Sequence, residues 1–168
     1  MKVGMISLGC PKNQVSAEQM LYLLREAGHD IVIDMDEAEA IVVNTCAFIE
    51  DAKQEAINTI LEAAEFKKTG SLKYLIVTGC LAQLYGAEVM DELPEADALV
   101  GVGSCEEIVD VLNRVEAGER PVVIGDNSAP VSECRRIIST GPAWAYLLIA
   151  EGCDNCCSYC VIPRIRGR

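Results

Sequence analysis

The chain has 168 residues, half of them hydrophobic but only 5% aromatic, and its formal net charge is −12. This length corresponds to one domain, or to one domain with a piece of a second, and the hydrophobic content excludes an intrinsically disordered chain. The longest apolar runs are far shorter than the roughly 20 residues of a membrane span, and no signal-peptide pattern follows Met1. We therefore expect a soluble, cytoplasmic protein that does not contact a membrane.

Strands and helices alternate along the first 125 residues. A strand pattern over residues 2–8 precedes Ser16, which begins a capping-box spacing and predicts a helix that ends at Gly28. A second capping box begins at Ser104 and predicts the last helix, which ends at Gly118. Between these helices, the apolar patterns predict strands over residues 30–33, 40–44, 73–78 and 98–102 and helices over 51–68 and 81–93; a final strand is predicted over 121–124.

This alternation predicts an α/β fold, with a parallel sheet covered by helices on both faces. The apolar strands are almost continuous runs, as burial on two sides requires. Residues 126–142 contain Pro, Gly and several Ser and are interpreted as a linker, and residues 143–150 predict a new strand. The expected organisation is therefore a first domain over residues 1–125, a linker over 126–142 and the start of a second domain over 143–168.

Nine cysteines in a chain without a signal peptide indicate metal binding or catalysis rather than disulfides. Cys153, Cys157 and Cys160 have the spacing C-x3-C-x2-C, in which three thiolates can hold one face of an iron–sulfur cube and leave the fourth iron without a protein ligand. A zinc site usually has four ligands, and the only histidine, His29, is far away in sequence. Cys156 is predicted not to be a ligand, since the three others already complete the pattern.

A second set of cysteines is distributed along the chain. Cys10, Cys46 and Cys80 each follow a predicted strand, and the carboxyl ends of parallel strands lie along one edge of a sheet, where ligands bind. Three thiolates converging there would hold a second cluster with an open iron. The alternative is that each is a small buried residue at a strand end, a common position for free cysteine. Cys105 and Cys134 fit neither pattern and are assigned no function.

Four segments around these cysteines form recognisable motifs. Residues 151–160 read E-G-C-D-N-C-C-S-Y-C and are followed by Ile162-Pro163 and Arg166-Gly167. This pattern resembles the signature of the radical S-adenosylmethionine methylthiotransferases. Three further segments resemble the N-terminal domain of that family: S-L-G-C-P-K-N at 7–13, N-T-C with F-I-E-D-A at 44–52, and T-G-C-L-A-Q at 78–83. The form Gly-Cys-Pro-Lys-Asn resembles the branch of the family that modifies a ribosomal protein.

The resemblance implies a Rossmann- or flavodoxin-like N-terminal domain, followed by the first strand and the cluster loop of a radical S-adenosylmethionine barrel. Such a barrel takes on the order of 200 residues, so the second domain is expected to be truncated and the chain inactive alone. The family's ligand sets map onto the two sets of cysteines. Cys153, Cys157 and Cys160 would hold the 4Fe-4S cluster that binds S-adenosylmethionine, and Cys10, Cys46 and Cys80 would hold the auxiliary 4Fe-4S cluster that supplies or carries sulfur.

The activity implied by this branch is methylthiolation of the β-carbon of an aspartate in small-subunit ribosomal protein twelve, with an electron donor as a further partner. No side chain is assigned as catalytic. The substrate is a basic protein, which suits the net charge of −12, whereas contact with nucleic acid through so acidic a segment is not expected. Two alternatives stay open: the transfer-RNA branch of the same family, and a non-enzymatic iron–sulfur module.

Overall fold

The computed structural model describes residues 1–128 and 134–168. Within these residues, six strands form a single sheet: β1 (Lys2–Ser7), β2 (Asp30–Val32), β3 (Ala40–Thr45), β4 (Tyr74–Gly79), β5 (Ala98–Val100) and β6 (Val122–Val123). All neighbouring strands are parallel, in the order β2-β1-β3-β4-β5-β6. The predicted parallel sheet is confirmed.

The helices in the described part of the chain are α1 (Pro11–Glu26), α2 (Glu50–Thr69), α3 (Cys80–Tyr85), α4 (Ala87–Glu92), α5 (Ile108–Glu116) and α6 (Ile162–Arg166). Side chains alternate between the two faces of each strand. On β3, Ile41 and Val43 pack in the core shared with α2, α3 and α4, whereas Ala40 and Val42 pack in the core shared with α1 and α5. Helices therefore cover both faces, as predicted. Each of these helices is too short or too polar to cross a membrane.

Neither predicted capping box begins a helix. Helix α1 starts at Pro11, because proline has a fixed φ and lacks the N–H that the first helical residue cannot use. Ser16 lies inside this helix, where its hydroxyl donates to the carbonyl of Lys12 at 3.1 Å. Ser104 lies in a short 3-10 turn that precedes α5, and it caps no helix through its side chain. Both predicted helix starts are wrong. In the first case the helix begins before Ser16, and in the second a 3-10 turn that begins at Val102 already contains Ser104.

The single helix predicted over residues 81–93 is also wrong. The structure divides this segment into α3 and α4 at Gly86, which has φ 49° and ψ −122°. A residue with a side chain rarely adopts this backbone conformation, whereas glycine does so at little cost. The break separates α3, which directly follows β4, from α4, whose Val89 and Met90 pack in the core.

The strand predicted over residues 143–150 is absent from the structure, where this segment has no regular conformation. A strand requires a partner for its backbone groups, and this segment pairs with neither edge of the sheet. Leu147 and Ile149 are 83% and 88% exposed. The end of the chain instead packs on the first domain through Ile165, which is 1% exposed. The proposed boundaries at residues 125 and 142 stay predictions, and residues 129–133 of the linker lie outside the described residues.

Candidate metal centre

Three cysteines lie at the carboxyl ends of three neighbouring strands. Thr45 of β3 pairs with Gly79 of β4, so Cys46 and Cys80 occupy the next position on adjacent strands. Cys10 follows β1, which neighbours β3 on the other side, and it immediately precedes α1. The sheet therefore places all three predicted residues at one edge, as parallel topology requires.

The loop between β1 and α1 passes directly over Cys46. Gly9 in this loop has φ +89°, and a Cβ placed on it would lie 2.7 Å from the Cβ of Cys46 and 3.2 Å from its Sγ. Only a residue without a side chain allows so close an approach. Gly9 therefore brings the backbone that carries Cys10 onto the end of β3.

The three thiols differ in exposure. Cys46 and Cys80 are 8% and 6% exposed, whereas Cys10 is open to solvent. Burial raises the pKa of the Cys80 thiol, the nearby guanidinium of Arg166 opposes that shift, and the proximity of Cys46 and Cys10 adds to it. In the absence of metal, proton loss from Cys80 is thus disfavoured. A bound metal reverses this preference, because a coordinating thiol is deprotonated.

Asn13 holds the strand ends together from the first turn of α1. Its side chain is fully buried, and its Nδ2 donates to the carbonyls of Leu8 at 2.9 Å and Thr45 at 2.8 Å. Its Oδ1 lies 3.7 Å from the Sγ of Cys80 and accepts a hydrogen bond from Arg166. One side chain thereby fixes the ends of β1 and β3 next to a thiol that follows β4.

Arg166, in α6, places a buried cation at this edge. It is 4% exposed, and its Nη1 donates to Glu151 Oε2 at 2.9 Å. Its Nη2 donates to Asn13 Oδ1 and lies 3.9 Å from the Sγ of Cys80. Although burial opposes the charged form, the neighbouring Cys80 and Glu151 raise the pKa of Arg166 above its ordinary value. The guanidinium therefore stays charged beside the buried thiol.

The loop that begins the second cysteine set also contacts the helix beside the first set, through Lys12, and the residue next to Arg166, through Cys153. Lys12 Nζ donates to the carbonyl of Ala150 at 2.7 Å and also to that of Glu151. The backbone N–H of Cys153 donates to the carbonyl of Gly167 at 3.0 Å. Lys12 lies between Cys10 and Asn13, so the second loop contacts the residues that shape the first site.

Within the second set, Cys153 and Cys160 are partly buried and Cys157 is exposed. The N–H of Cys160 donates to the carbonyl of Cys157 at 3.0 Å, which closes a turn between these two cysteines. Asn155 Nδ2 lies 3.7 Å from the Sγ of Cys153. Cys156 is exposed and lies outside the turn.

Among residues 1–128 and 134–168, no group of three or more His, Cys, Asp or Glu side chains is arranged to hold a metal ion. A 4Fe-4S cube is larger than a single ion and is held by thiolates that stand around it. The assignment of Cys10, Cys46, Cys80, Cys153, Cys157 and Cys160 as ligands therefore stays a prediction.

A model of a protein family described as uncharacterized protein family UPF0004 matches residues 2–101. The chain belongs to this family. The matched region runs from β1 through β5 and includes all three cysteines at the sheet edge.

Curated relatives confirm the resemblance to the methylthiotransferases. Proteins named ribosomal protein uS12 methylthiotransferase RimO are 53% identical in Lachnoclostridium phytofermentans, 50% identical in Syntrophomonas wolfei and 49% identical in Clostridioides difficile. The alignments cover 99% to 100% of this chain and 38% of each relative. The chain thus spans well under half the length of the relatives it matches.

Sequence reasoning gave no role to three residues that shape the site: Asn13, Glu151 and Arg166. All three lie inside the motifs that carry the resemblance, but those motifs do not show which groups each side chain contacts. Arg166 and Asn13 are 153 positions apart in the chain, and hydrophobic periodicity predicts only local structure, so it could not predict this contact. The position of Asn13 three residues after Cys10 was a clue to its role. It was missed because the capping box at Ser16 predicted a later helix start than Pro11, which left Asn13 outside the predicted helix.

Proposed function

We propose that this chain contributes the UPF0004 domain and the first cysteine loop of a radical S-adenosylmethionine domain to a methylthiotransferase that modifies ribosomal protein uS12. The observation that carries the proposal is the position of Cys10, Cys46 and Cys80 after three neighbouring strands, with the loop before Cys153 bonded to Lys12 next to Cys10. The names of the relatives supply the substrate.

The number and type of the sulfur donors support two iron–sulfur clusters. Each set offers three sulfur donors, and thiolates are the ligands that hold such clusters. Cys10, Cys46 and Cys80 would hold one 4Fe-4S cluster, and Cys153, Cys157 and Cys160 would hold the other. When bound, clusters of this kind supply electron transfer and, at an iron without a protein ligand, a coordination position for S-adenosylmethionine or sulfur.

The chain's own residues prepare the first site for a negatively charged group. Arg166 places a buried positive charge near Cys80, where low exposure limits screening by solvent and salt. Asn13 fixes the strand ends, so that the sulfurs of Cys46 and Cys80 keep their relative positions. Cys10 lies on the open side, which leaves that direction accessible to a sulfur donor or to the second loop.

The acidic surface suits the proposed partner. A net charge of −12 attracts a basic protein such as the ribosomal substrate and repels the phosphates of a transfer RNA. An electron donor is required in addition, since the proposed chemistry begins with a one-electron reduction.

Iron loading tests the first site. After anaerobic reconstitution with iron and sulfide, the full chain with Cys10, Cys46 and Cys80 all changed to Ala should lose about one cluster's iron relative to the unmodified chain. The matched control changes Cys105, Cys134 and Cys156 to Ala, which removes the same number of thiols and should leave the iron content unchanged. Equal iron content in the two triple variants would overturn the ligand assignment.

A deletion of the gene tests the substrate. Mass spectrometry of ribosomal protein uS12 from the deletion strain should show loss of the methylthio group on aspartate, and reintroduction of the gene should restore it. Loss of thiomethylation in transfer RNA instead, with uS12 unchanged, would assign the protein to the transfer-RNA branch. Loss of neither modification would favour a non-enzymatic iron–sulfur module.

A further inference from the structure

We propose that Arg166 is a positioning residue that joins the two cysteine sets and controls the charge around the sulfur of Cys80. This inference rests on the proposed function, because it takes Cys80 as a cluster ligand. Arg166 is not one of the cysteine ligands that the family resemblance implies, and its contacts with Glu151, Asn13 and Cys80 form because α6 packs against the sheet edge.

The guanidinium contacts three groups that come from distant parts of the chain. Nη1 binds the carboxylate of Glu151 at 2.9 Å, and Nη2 both donates to Asn13 and lies 3.9 Å from the Sγ of Cys80. A guanidinium offers five donors in a fixed plane, so it can serve all three groups at once. Lysine would keep the charge but lose this geometry.

The contacts also connect the two loops mechanically. Glu151 lies two residues before Cys153, and Asn13 lies three residues after Cys10. Arg166 therefore bridges the loop that begins the second cysteine set and the helix that begins after the first. Lys12 strengthens the same connection through the carbonyls of Ala150 and Glu151.

The charge has a separate consequence. A cluster held by three thiolates is negatively charged, and reduction makes it more negative. A buried cation near Cys80 stabilises the reduced form and raises the reduction potential, because net local charge is one of the factors that set that potential. The carboxylate of Glu151 opposes the effect, since its negative charge is paired with the same guanidinium.

These two charges predict shifts of opposite sign. In Arg166→Gln the cation is lost while Glu151 remains, so the reduction potential should fall. In Glu151→Gln the cation remains without its paired carboxylate, so the potential should rise. A merely structural role would make both variants disturb the site in the same direction, because each change breaks the same ion pair.

The measurement is a redox titration followed by electron paramagnetic resonance. It uses the full chain with Cys153, Cys157 and Cys160 changed to Ala, so that only the cluster at the sheet edge contributes. Arg166→Lys should stay closer to the parent than Arg166→Gln does. Arg164→Gln is the matched control, because Arg164 is an exposed arginine on the same helix and should leave the potential unchanged.

A second readout needs no metal. In the metal-free chain, hydrogen exchange of the amides over residues 151–160 should become faster in Arg166→Gln and stay unchanged in Arg164→Gln. Shifts of the same sign in Arg166→Gln and Glu151→Gln, or a potential in Arg166→Gln equal to that of the parent, would overturn the inference while leaving the proposed function intact. Failure of the parent to load iron at Cys10, Cys46 and Cys80 would instead overturn both.

Discussion

The carboxylate of Glu18 accepts two hydrogen bonds from Ser139, one from the backbone N–H at 2.9 Å and one from the hydroxyl at 2.8 Å. Glu18 lies in α1 and is 2% exposed, which makes it a buried charge. Arg136 places Nη1 3.4 Å from its other oxygen, and Ile137 donates its N–H to the backbone carbonyl of Glu18 at 3.1 Å. Glu18 therefore helps to fasten residues 136–139, which follow the sheet, to α1.

Replacement of Glu18 with Ala should lower the free energy of unfolding by about 2 kcal/mol, because the buried carboxylate accepts two hydrogen bonds from Ser139 and faces the partly buried guanidinium of Arg136. Urea denaturation followed by circular dichroism measures the free energy of unfolding of each variant. Glu26→Ala, at an exposed position of the same helix, should change the value by less than about 0.5 kcal/mol. The double variant with Ser139→Ala should fall short of the summed single effects by about 1 kcal/mol, and full additivity would contradict the contact.

Gly9 and Gly28 provide a matched pair, because their φ angles are +89° and +90°. Alanine at either position incurs a backbone cost of about 1 to 2 kcal/mol. At Gly28 a new Cβ would meet nothing within 4 Å, whereas at Gly9 it would collide with Cys46. We expect Gly28→Ala to keep the iron bound at the sheet edge and Gly9→Ala to lose both iron and a further 1 kcal/mol or so of stability. Equal iron content and equal stability in the two variants would show that the close approach has no bearing on the site.

Cys156 and Cys157 are adjacent, yet only Cys157 belongs to the turn closed by Cys160. The parent for this test is the full chain with Cys10, Cys46 and Cys80 changed to Ala. In that parent, Cys156→Ala should retain the iron and the cluster absorbance, and Cys157→Ala should lose both. Anaerobic reconstitution followed by absorbance and iron analysis distinguishes the two. The reverse pattern would mean that the ligand register is shifted by one residue.

Cys105 should be the slowest thiol to react with an alkylating reagent. Its Sγ lies 3.3 Å from the carbonyl of Val102, and burial raises the pKa of its thiol from 9.0 to about 11. Since the thiolate is the nucleophile, its fraction at pH 8 is about 100-fold lower than for an unshifted thiol. In the metal-free chain, mass spectrometry should show Cys105 reacting far more slowly than the exposed Cys10 and Cys156, with its rate rising only as the pH approaches 11. A rate at pH 8 equal to theirs would contradict the shifted pKa.

The sequence predicted the sheet well because two-sided burial leaves a strong pattern. Apolar runs predicted each strand of the sheet, and parallel topology then placed Cys46 and Cys80 side by side. Helix boundaries were less predictable, since Ser16 has the spacing of a cap but lies inside a helix and Gly86 interrupts an otherwise helical pattern. The role of Arg166 could not be predicted, because it depends on how the last helix packs and not on any neighbouring residue.

The docking of α6 has a consequence for the order of events during synthesis. The strands lie within residues 2–123, whereas Arg166 is added 86 positions after Cys80. Domains generally fold as units from the N-terminal side while the chain is being made. The strand ends that carry Cys46 and Cys80 are therefore made well before Arg166, and the contact between Arg166 and Cys80 can form only after the last helix has been added.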